Sequence, residues 1–133
     1  MRTFLDIGKE LEADALSPST MLALGEETLE CWITANDQVP TDKEKEGFRL
    51  IALHRQGAKG DPSFNACRET CRELIYHYNL ITLDPEHDQT LQRLNMMKLV
   101  ASHLYYFIAG KIEKSDFGEF CCSSRSVRAK LDS

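Results

Sequence analysis

Apolar and polar residues recur along this 133-residue chain with the period of the α-helix. Apolar side chains three or four positions apart form one face of each segment and charged side chains form the other. No segment of useful length shows the strict alternation of a β-strand. The pattern predicts five helices, over residues 3–15, 19–35, 41 to about 56, 61 to about 80, and 84 to at least 109.

Two of these helix starts are predicted from capping signals. Thr41 and Glu44 have the spacing of a capping box, in which the hydroxyl and the carboxylate each accept a hydrogen bond from a backbone amide. Asp84 precedes Pro85, a pair typical of an N-cap and the first helical position. We therefore expect the third helix to begin at Thr41 and the fifth at Asp84.

The fifth predicted helix has no polar face over most of its length. Nearly every residue from Leu94 to Ile108 is apolar, and helices of this kind are normally surrounded by other elements. We therefore expect this helix to be the centre of the bundle, or to face a second copy of the protein in part. His103 shares its flank with apolar side chains, so it is predicted to be a core histidine.

Length and composition fit one globular domain. A chain of 133 residues with 42% hydrophobic and 28% charged residues can bury a core that needs no additional stabilisation by disulfide bonds or metal ions. We predict an all-α, single-domain bundle of four to five helices around the long apolar fifth helix, formed by residues 1–120. Residues 121–133 are small, polar and mildly basic, so they are predicted to be a mobile or docking C-terminal tail.

The charge distribution does not favour a nucleic-acid partner. Residues 1–46 carry eleven acidic and four basic side chains, a net charge of −7. Residues 47–133 carry ten acidic and twelve basic side chains, a net charge of +2. A polyanion is repelled by the first segment and attracted weakly by the second. The longest nearly apolar run, Met96–Ala109, is too short to span a membrane, so no membrane partner is predicted.

Cysteine usage favours a reducing compartment. The chain has five cysteines, and an odd number does not suit the disulfide framework of a secreted domain. Its first residues also lack the apolar core of a secretion signal. We therefore predict a cytoplasmic protein with reduced thiols.

The most suggestive chemical pattern is the pair Cys67 and Cys71. Residues four apart on a helix point the same way, so two thiolates could share a metal or react with a redox partner. The spacing differs from the two-residue gap of zinc knuckles, and both cysteines lie in the apolar stripe of their helix. Buried core thiols are the favoured interpretation, and a redox or metal site is the alternative.

A larger metal site would need ligands from elsewhere in the chain. Cys121 and Cys122 are adjacent in a polar segment, where an incidental pair of exposed thiols is the simpler interpretation. His54 is the best-placed histidine because it lies next to a glycine-rich loop. No cofactor is predicted; the alternative is zinc or iron held by the thiolates of Cys67, Cys71, Cys121 and Cys122, together with His54.

The loop over residues 55–63 has features of an anion site. Arg55 and Lys59 supply positive charge, two glycines free the backbone, and a helix begins directly afterwards. The loop lacks the Gly-Lys-Ser/Thr ending of a phosphate-binding loop. An ordinary interhelical turn is therefore the favoured interpretation.

Five residues are predicted contacts with a protein partner. Arg68 and Arg72 lie one helical turn apart, and antiparallel packing on the preceding helix would align them with Arg55 in a basic strip. Interleaved glutamates favour a solvated, salt-bridged surface over a binding site. Tyr105 and Tyr106 are predicted to be exposed on the fifth helix.

The chain contains no nucleophile elbow, no metalloprotease motif and no dinucleotide-binding glycine pattern. This favours a non-enzymatic protein–protein interaction or regulatory module, in the first instance a homo-oligomer. The alternative is a cysteine-based redox or metal sensor that uses Cys67 and Cys71. An enzyme whose site is assembled across a dimer interface stays open, with no residues to assign to it.

Overall fold

The computed structural model describes residues 3–115, and this part of the chain contains five α-helices and no strand. The helices are α1 (Phe4–Leu11), α2 (Pro18–Ala35), α3 (Arg49–Ala58), α4 (Asn65–Leu83) and α5 (Thr90–Ser115), with a 3-10 turn at Pro62–Phe64 before α4. The predicted all-α fold is confirmed. The predicted domain boundary at residue 120 and the tail 121–133 lie outside the described residues.

The bundle is built around the inner side of α5. Helices α2 and α4 pack along it, α1 packs on α2 and α5, and α3 packs on α2 and α4. Each helix contributes an apolar stripe, as the period of its sequence predicts. The largest fully buried side chains are Phe4, Ile7, Met21, Leu24, Leu29, Ile33, Leu50, Leu53, Phe64, Leu74, Met97 and Leu104.

The predicted start of the third helix at Thr41 is wrong, because the chain up to Phe48 forms a turn. Glu46 and Gly47 have φ angles of 55° and 83°, and a left-handed backbone cannot continue a right-handed helix. The Thr41 hydroxyl accepts a hydrogen bond from the amide of Lys43 at 3.1 Å, a local turn that competes with the capping box. Helix α3 therefore begins at Arg49.

The predicted start of the fifth helix at Asp84 is also wrong. The amide of His87 donates to the carbonyl oxygen of Asp84 at 3.3 Å, and the Thr90 hydroxyl donates to the carbonyl oxygen of Pro85 at 3.2 Å. These turn contacts occupy the backbone groups that a helix would use, so α5 begins at Thr90. At its other end α5 continues through Gly110 to Ser115.

One side of α5 is not covered by the described chain. Met96, Leu99, His103 and Tyr106 are exposed, and we call these four residues the outer stripe. Leu99 and Tyr106 leave 65% and 64% of their surface accessible. The prediction of His103 as a core histidine is wrong, because the apolar residues on its flank face outward with it.

Tyr105 joins α5 to α1. Its ring stacks on Phe4 with centroids 4.4 Å apart, and its hydroxyl donates to the carbonyl oxygen of Phe4 at 3.0 Å. This approach is possible because Gly8 has no side chain; a Cβ there would lie 2.6 Å from the hydroxyl oxygen. A side chain at position 8 would therefore collide with the Tyr105 ring.

We expect Gly8→Ala to destabilise the fold, although alanine is the better helix former by about 1 kcal/mol. The added Cβ displaces Tyr105 from the carbonyl oxygen of Phe4, and a lost buried hydrogen bond costs about 1–3 kcal/mol. Gly110→Ala is the matched control, because nothing lies within 4 Å of its Cβ position, and it should stabilise α5. Urea denaturation measures the free energy of unfolding of both variants, which should fall for Gly8→Ala and rise for Gly110→Ala. If both variants are stabilised, the close contact between position 8 and Tyr105 is wrong.

Stability should also fall at alkaline pH through Tyr105. Burial, helped by the charges of Tyr106, Cys31 and Glu12, raises the pKa of Tyr105 from 10.0 to about 12. The folded state favours the neutral phenol, so this contribution is complete below pH 10 and is lost as the pH rises to about 12. Thermal unfolding of wild type and Tyr105→Phe over this range should show a steeper alkaline loss in the wild type; parallel curves would exclude Tyr105 as the cause.

Candidate functional site

The structure gathers several predicted site residues at one end of the bundle, between α3 and α4. A cavity of about 360 Å³ lies there, and its walls include His54, Arg55, Arg68 and Arg72. Cys67 is buried on α4 and interacts electrostatically with His54, which lowers the pKa of the Cys67 thiol. Residues that are distant in the sequence thus form one group.

The short link between α3 and α4 creates this arrangement. Lys59 and Gly60 have φ angles of 48° and 79°, which reverse the chain directly after α3. The Asp61 carboxylate then accepts a hydrogen bond from the amide of Ser63 at 2.9 Å and begins the 3-10 turn. Residues 55–58 of the predicted loop thus belong to α3, and residues 59–63 form the interhelical turn, in which Asp61 accepts a hydrogen bond from an amide that an anion would use.

His54 is buried and has a defined proton arrangement. Its Nε2 atom lies 3.0 Å from the carbonyl oxygen of Phe64, and only the imidazole can donate in this pair. The proton of the neutral imidazole is therefore on Nε2, and Nδ1 carries the lone pair. Nδ1 is the atom that can accept a proton from a neighbouring thiol.

Phe64 holds this end of the bundle together. Its ring lies 5.9 Å from that of Trp32 on α2, 5.9 Å from His54 on α3 and 5.3 Å from Phe107 on α5, measured between centroids. The Lys111 ammonium lies 5.0 Å above the Phe64 ring. Because its carbonyl oxygen holds His54, Phe64 links the orientation of the imidazole to the packing of four helices.

Cys67 and Cys71 are buried thiols that interact with each other, with exposures of 2% and 0%. The hydrogen bond from Cys71 lowers the pKa of Cys67, and His54 lowers it further against the opposing effect of burial. The same bond and deeper burial raise the pKa of Cys71. The first ionisation of the pair therefore occurs at Cys67, with Cys71 as the hydrogen-bond donor.

A metal centre at this position is not formed by the described residues. Among residues 3–115, no three His, Cys, Asp or Glu side chains are grouped so that they could hold a metal ion. His54, Cys67 and Cys71 are close, but they do not form such a group. Cys121 and Cys122 lie outside the described residues, so the zinc or iron alternative is not tested.

The arginine strip is largely balanced by carboxylates. Arg72 contacts Glu46 at 2.8 Å and Glu69 at 3.2 Å, and Arg68 lies 3.7 Å from Glu69. All four side chains are more than two-fifths exposed, and such surface pairs contribute little to stability. Arg55 is exposed at the cavity wall.

The two tyrosines have opposite environments. Tyr106 is exposed, whereas Tyr105 is buried against α1, so its prediction as a surface residue is wrong. Sequence reasoning missed Leu99 and Met96, which accompany Tyr106 on the outer stripe. The spacing of 3, 4 and 3 residues along the stripe was the signal that could have indicated an exposed helical seam. In the sequence analysis this flank of the helix was assigned to the core instead.

A groove of about 310 Å³ runs between the outer stripe and α4. Thr70 and Glu73 form its α4 wall, and Met96, Leu99, Val100 and His103 form the α5 wall. Two further apolar side chains of α4, Tyr76 and Leu83, are more than half exposed. The outer stripe of α5 is thus an apolar surface, and it is bordered by a groove whose α4 wall carries the carboxylate of Glu73.

Comparison with known proteins does not place the chain in a family. The sequence matches no protein-family model, and no curated protein or solved structure is significantly similar to it. None of the helices between residues 3 and 115 has the length and apolarity that crossing a membrane requires. The cavity beside His54 and the outer stripe are the two features from which we infer function.

Proposed function

We propose that this protein is a non-enzymatic helical interaction module that self-associates through the outer stripe and the adjacent side of α4. The observation that carries the proposal is the exposure of Leu99 and Tyr106 on a helix that has no polar face. Contiguous exposed apolar surface on a small domain usually marks an interaction site.

The spacing of the outer stripe supports a helical partner. Met96, Leu99, His103 and Tyr106 are separated by 3, 4 and 3 residues, the repeat of a seam between paired helices. A two-fold axis near Ala101 pairs Met96 with Tyr106 and Leu99 with His103 of a second, antiparallel copy. Such an arrangement is self-complementary and closed, as expected for a homodimer.

The charged and titratable side chains at the groove support a second copy of the protein as the molecule that binds there. In the antiparallel arrangement, His103 of one protomer enters the groove beside Leu99 of its partner. Glu73 lines that same groove, so each imidazole meets a carboxylate in the interface. The pair is formed twice because the interface is symmetric.

The exposed apolar side chains also favour a dimer. The outer stripe, Tyr76 and Leu83 supply six side chains to an interface, which in a standard complex buries roughly 800 Å² per partner. The same proposal includes a cytoplasmic setting, because five cysteines do not suit the disulfide framework of a secreted domain.

Leu99→Glu should separate the dimer without unfolding the protomer. A buried carboxylate at the centre of the seam should weaken association at least about thirtyfold, the effect of a strong interface residue. Sedimentation equilibrium from about 1 to 100 μM measures this constant for wild type and variant. Val39→Glu is the matched control, because Val39 is an exposed apolar residue of the loop before α3.

Wild type and Val39→Glu are expected to dimerise alike, and Leu99→Glu is expected to stay monomeric with unchanged helicity. A wild-type protein that is monomeric throughout the series would overturn self-association. A Leu99→Glu variant that dimerises like the wild type would overturn the assigned surface.

A further inference from the structure

We propose that the cavity between α3 and α4 binds a small organic phosphate, with Arg55 and Arg68 on the phosphate group and an apolar wall against the organic group. The cavity has a volume of about 360 Å³, within the roughly 300–1,000 Å³ that is typical of small-molecule sites. It shares no lining residue with the groove beside the outer stripe, so this proposal is independent of self-association.

Two helices supply the positive charge of the cavity. Arg55 belongs to the last turn of α3, and Arg68 and Arg72 lie one turn apart in the first half of α4. The chain reversal at Lys59 and Gly60 brings these helices side by side, so that all three guanidinium groups line the same cavity. A guanidinium group can donate two parallel hydrogen bonds to a phosphate, which makes a cluster of arginines a suitable phosphate site.

The carboxylate of Glu46 shows that this cavity can hold an anion. Glu46 belongs to the loop before α3 and lines the cavity, and its two oxygens accept hydrogen bonds from Arg72 at 2.8 and 3.3 Å. Arg72 also contacts Glu69 at 3.2 Å, so carboxylates of the chain itself balance its charge. One of the three arginines is therefore already occupied by an internal anion.

Arg55 and Arg68 have hydrogen-bond donors that a ligand can use. Within residues 3–115, no carboxylate forms an ion pair with Arg55, and its side chain is exposed at the cavity wall. The contact of Arg68 with Glu69 is made by Nε at 3.7 Å, which is longer than a hydrogen bond. Two such cations match a phosphate monoester, whose charge is about −1.5 to −2 at pH 7.

The carboxylate of Asp61 does not cancel the positive charge of the cavity. It is engaged by the amide of Ser63 at 2.9 Å, and hydrogen bonds from Ser63, helped by the charge of Lys111, lower the pKa of Asp61. The lining side chains carry three positive and two negative charges, a net charge of +1 on a protein whose net charge is −5. A phosphate bound there is attracted by the local charge and not by the overall charge.

The apolar wall of the cavity is suited to an organic group. Ile51 and Phe64 line the cavity and are buried, and Ala58 adds a third apolar side chain. The Phe64 ring is fixed by its contacts with Trp32 and Phe107. Inorganic phosphate would leave this wall in contact with water, whereas an apolar substituent would cover it. The geometry therefore favours a phosphate monoester of a small organic molecule.

Phenyl phosphate is a suitable probe, because it combines a phosphate monoester with an apolar ring. Nuclear magnetic resonance titration of the isotope-labelled full-length protein, at about pH 7.5 in a buffer without phosphate, should shift the backbone amides of residues 54–58 and 64–68. We expect a dissociation constant on the order of 0.1–1 mM. Inorganic phosphate should bind at least about threefold more weakly because it lacks the ring, and benzoate at least about tenfold more weakly because it carries one charge.

Arg55→Gln and Arg68→Gln should each weaken the binding of phenyl phosphate at least about tenfold, because each removes a hydrogen bond between charged groups. Both side chains are exposed, so circular dichroism should show unchanged helicity. Arg93→Gln is the matched control, because Arg93 lies on α5 away from the cavity lining, and it should bind like the wild type. Glu46→Gln should bind at least about threefold more tightly, because it releases Arg72 and removes a competing charge.

The Leu99→Glu variant should bind phenyl phosphate with wild-type affinity, which separates this proposal from self-association. Absence of amide shifts at the cavity up to about 10 mM phenyl phosphate would overturn the proposal. Equal weakening by Arg93→Gln and Arg55→Gln would show that the site is wrong. Benzoate that binds as tightly as phenyl phosphate would exclude phosphate as the recognised group, and inorganic phosphate that does so would exclude the organic part of the ligand.

Discussion

The structure depends on how much of α5 a chain of this size can cover. Helix α5 is apolar around most of its circumference, and α1, α2 and α4 bury its inner side. Burying the remaining side would need another helix outside α4 and α5, and none lies there in the described part of the chain. The inner side therefore sets the fold, and the outer side stays exposed in the described part of the chain.

This division explains which predictions from the sequence succeeded. The α-helical period and the helix number follow from local pattern, and Ser17 marks the start of α2 because its hydroxyl accepts a hydrogen bond from the amide of Thr20. The period of a helix that is apolar all round does not indicate which side faces inward. For this reason His103 was predicted to be buried although it is exposed, and Tyr105 was predicted to be exposed although it is buried.

The missed helix boundaries have a different cause. Thr41 and Asp84 both precede plausible first turns, but contacts with more distant residues use the backbone groups of Thr41, and a local turn uses the carbonyl oxygen of Asp84. Arg49 donates to the carbonyl oxygen of Thr41 at 2.8 Å, and Gln56 accepts from its amide at 2.8 Å. Such contacts join residues up to 15 positions apart and are invisible to a local pattern.

The candidate thiol site was predictable in its members but not in its geometry. The short link after α3 already implied antiparallel helices, which brings His54 near Cys67. The carbonyl oxygen of Phe64 could not be foreseen, because backbone acceptors leave no trace in residue type. It is this acceptor that distinguishes an oriented imidazole from an ordinary buried histidine.

The contact between Phe4 and Tyr105 has a consequence for synthesis of the chain. These residues are 101 positions apart, so α1 leaves the ribosome long before its partner on α5 exists. At roughly 5–20 residues per second, this interval is about 5–20 s. A helix of eight residues is not stable alone in water, so α1 depends on its contacts with the other helices. Its contact with α5 can therefore form only after most of this helical domain has been made.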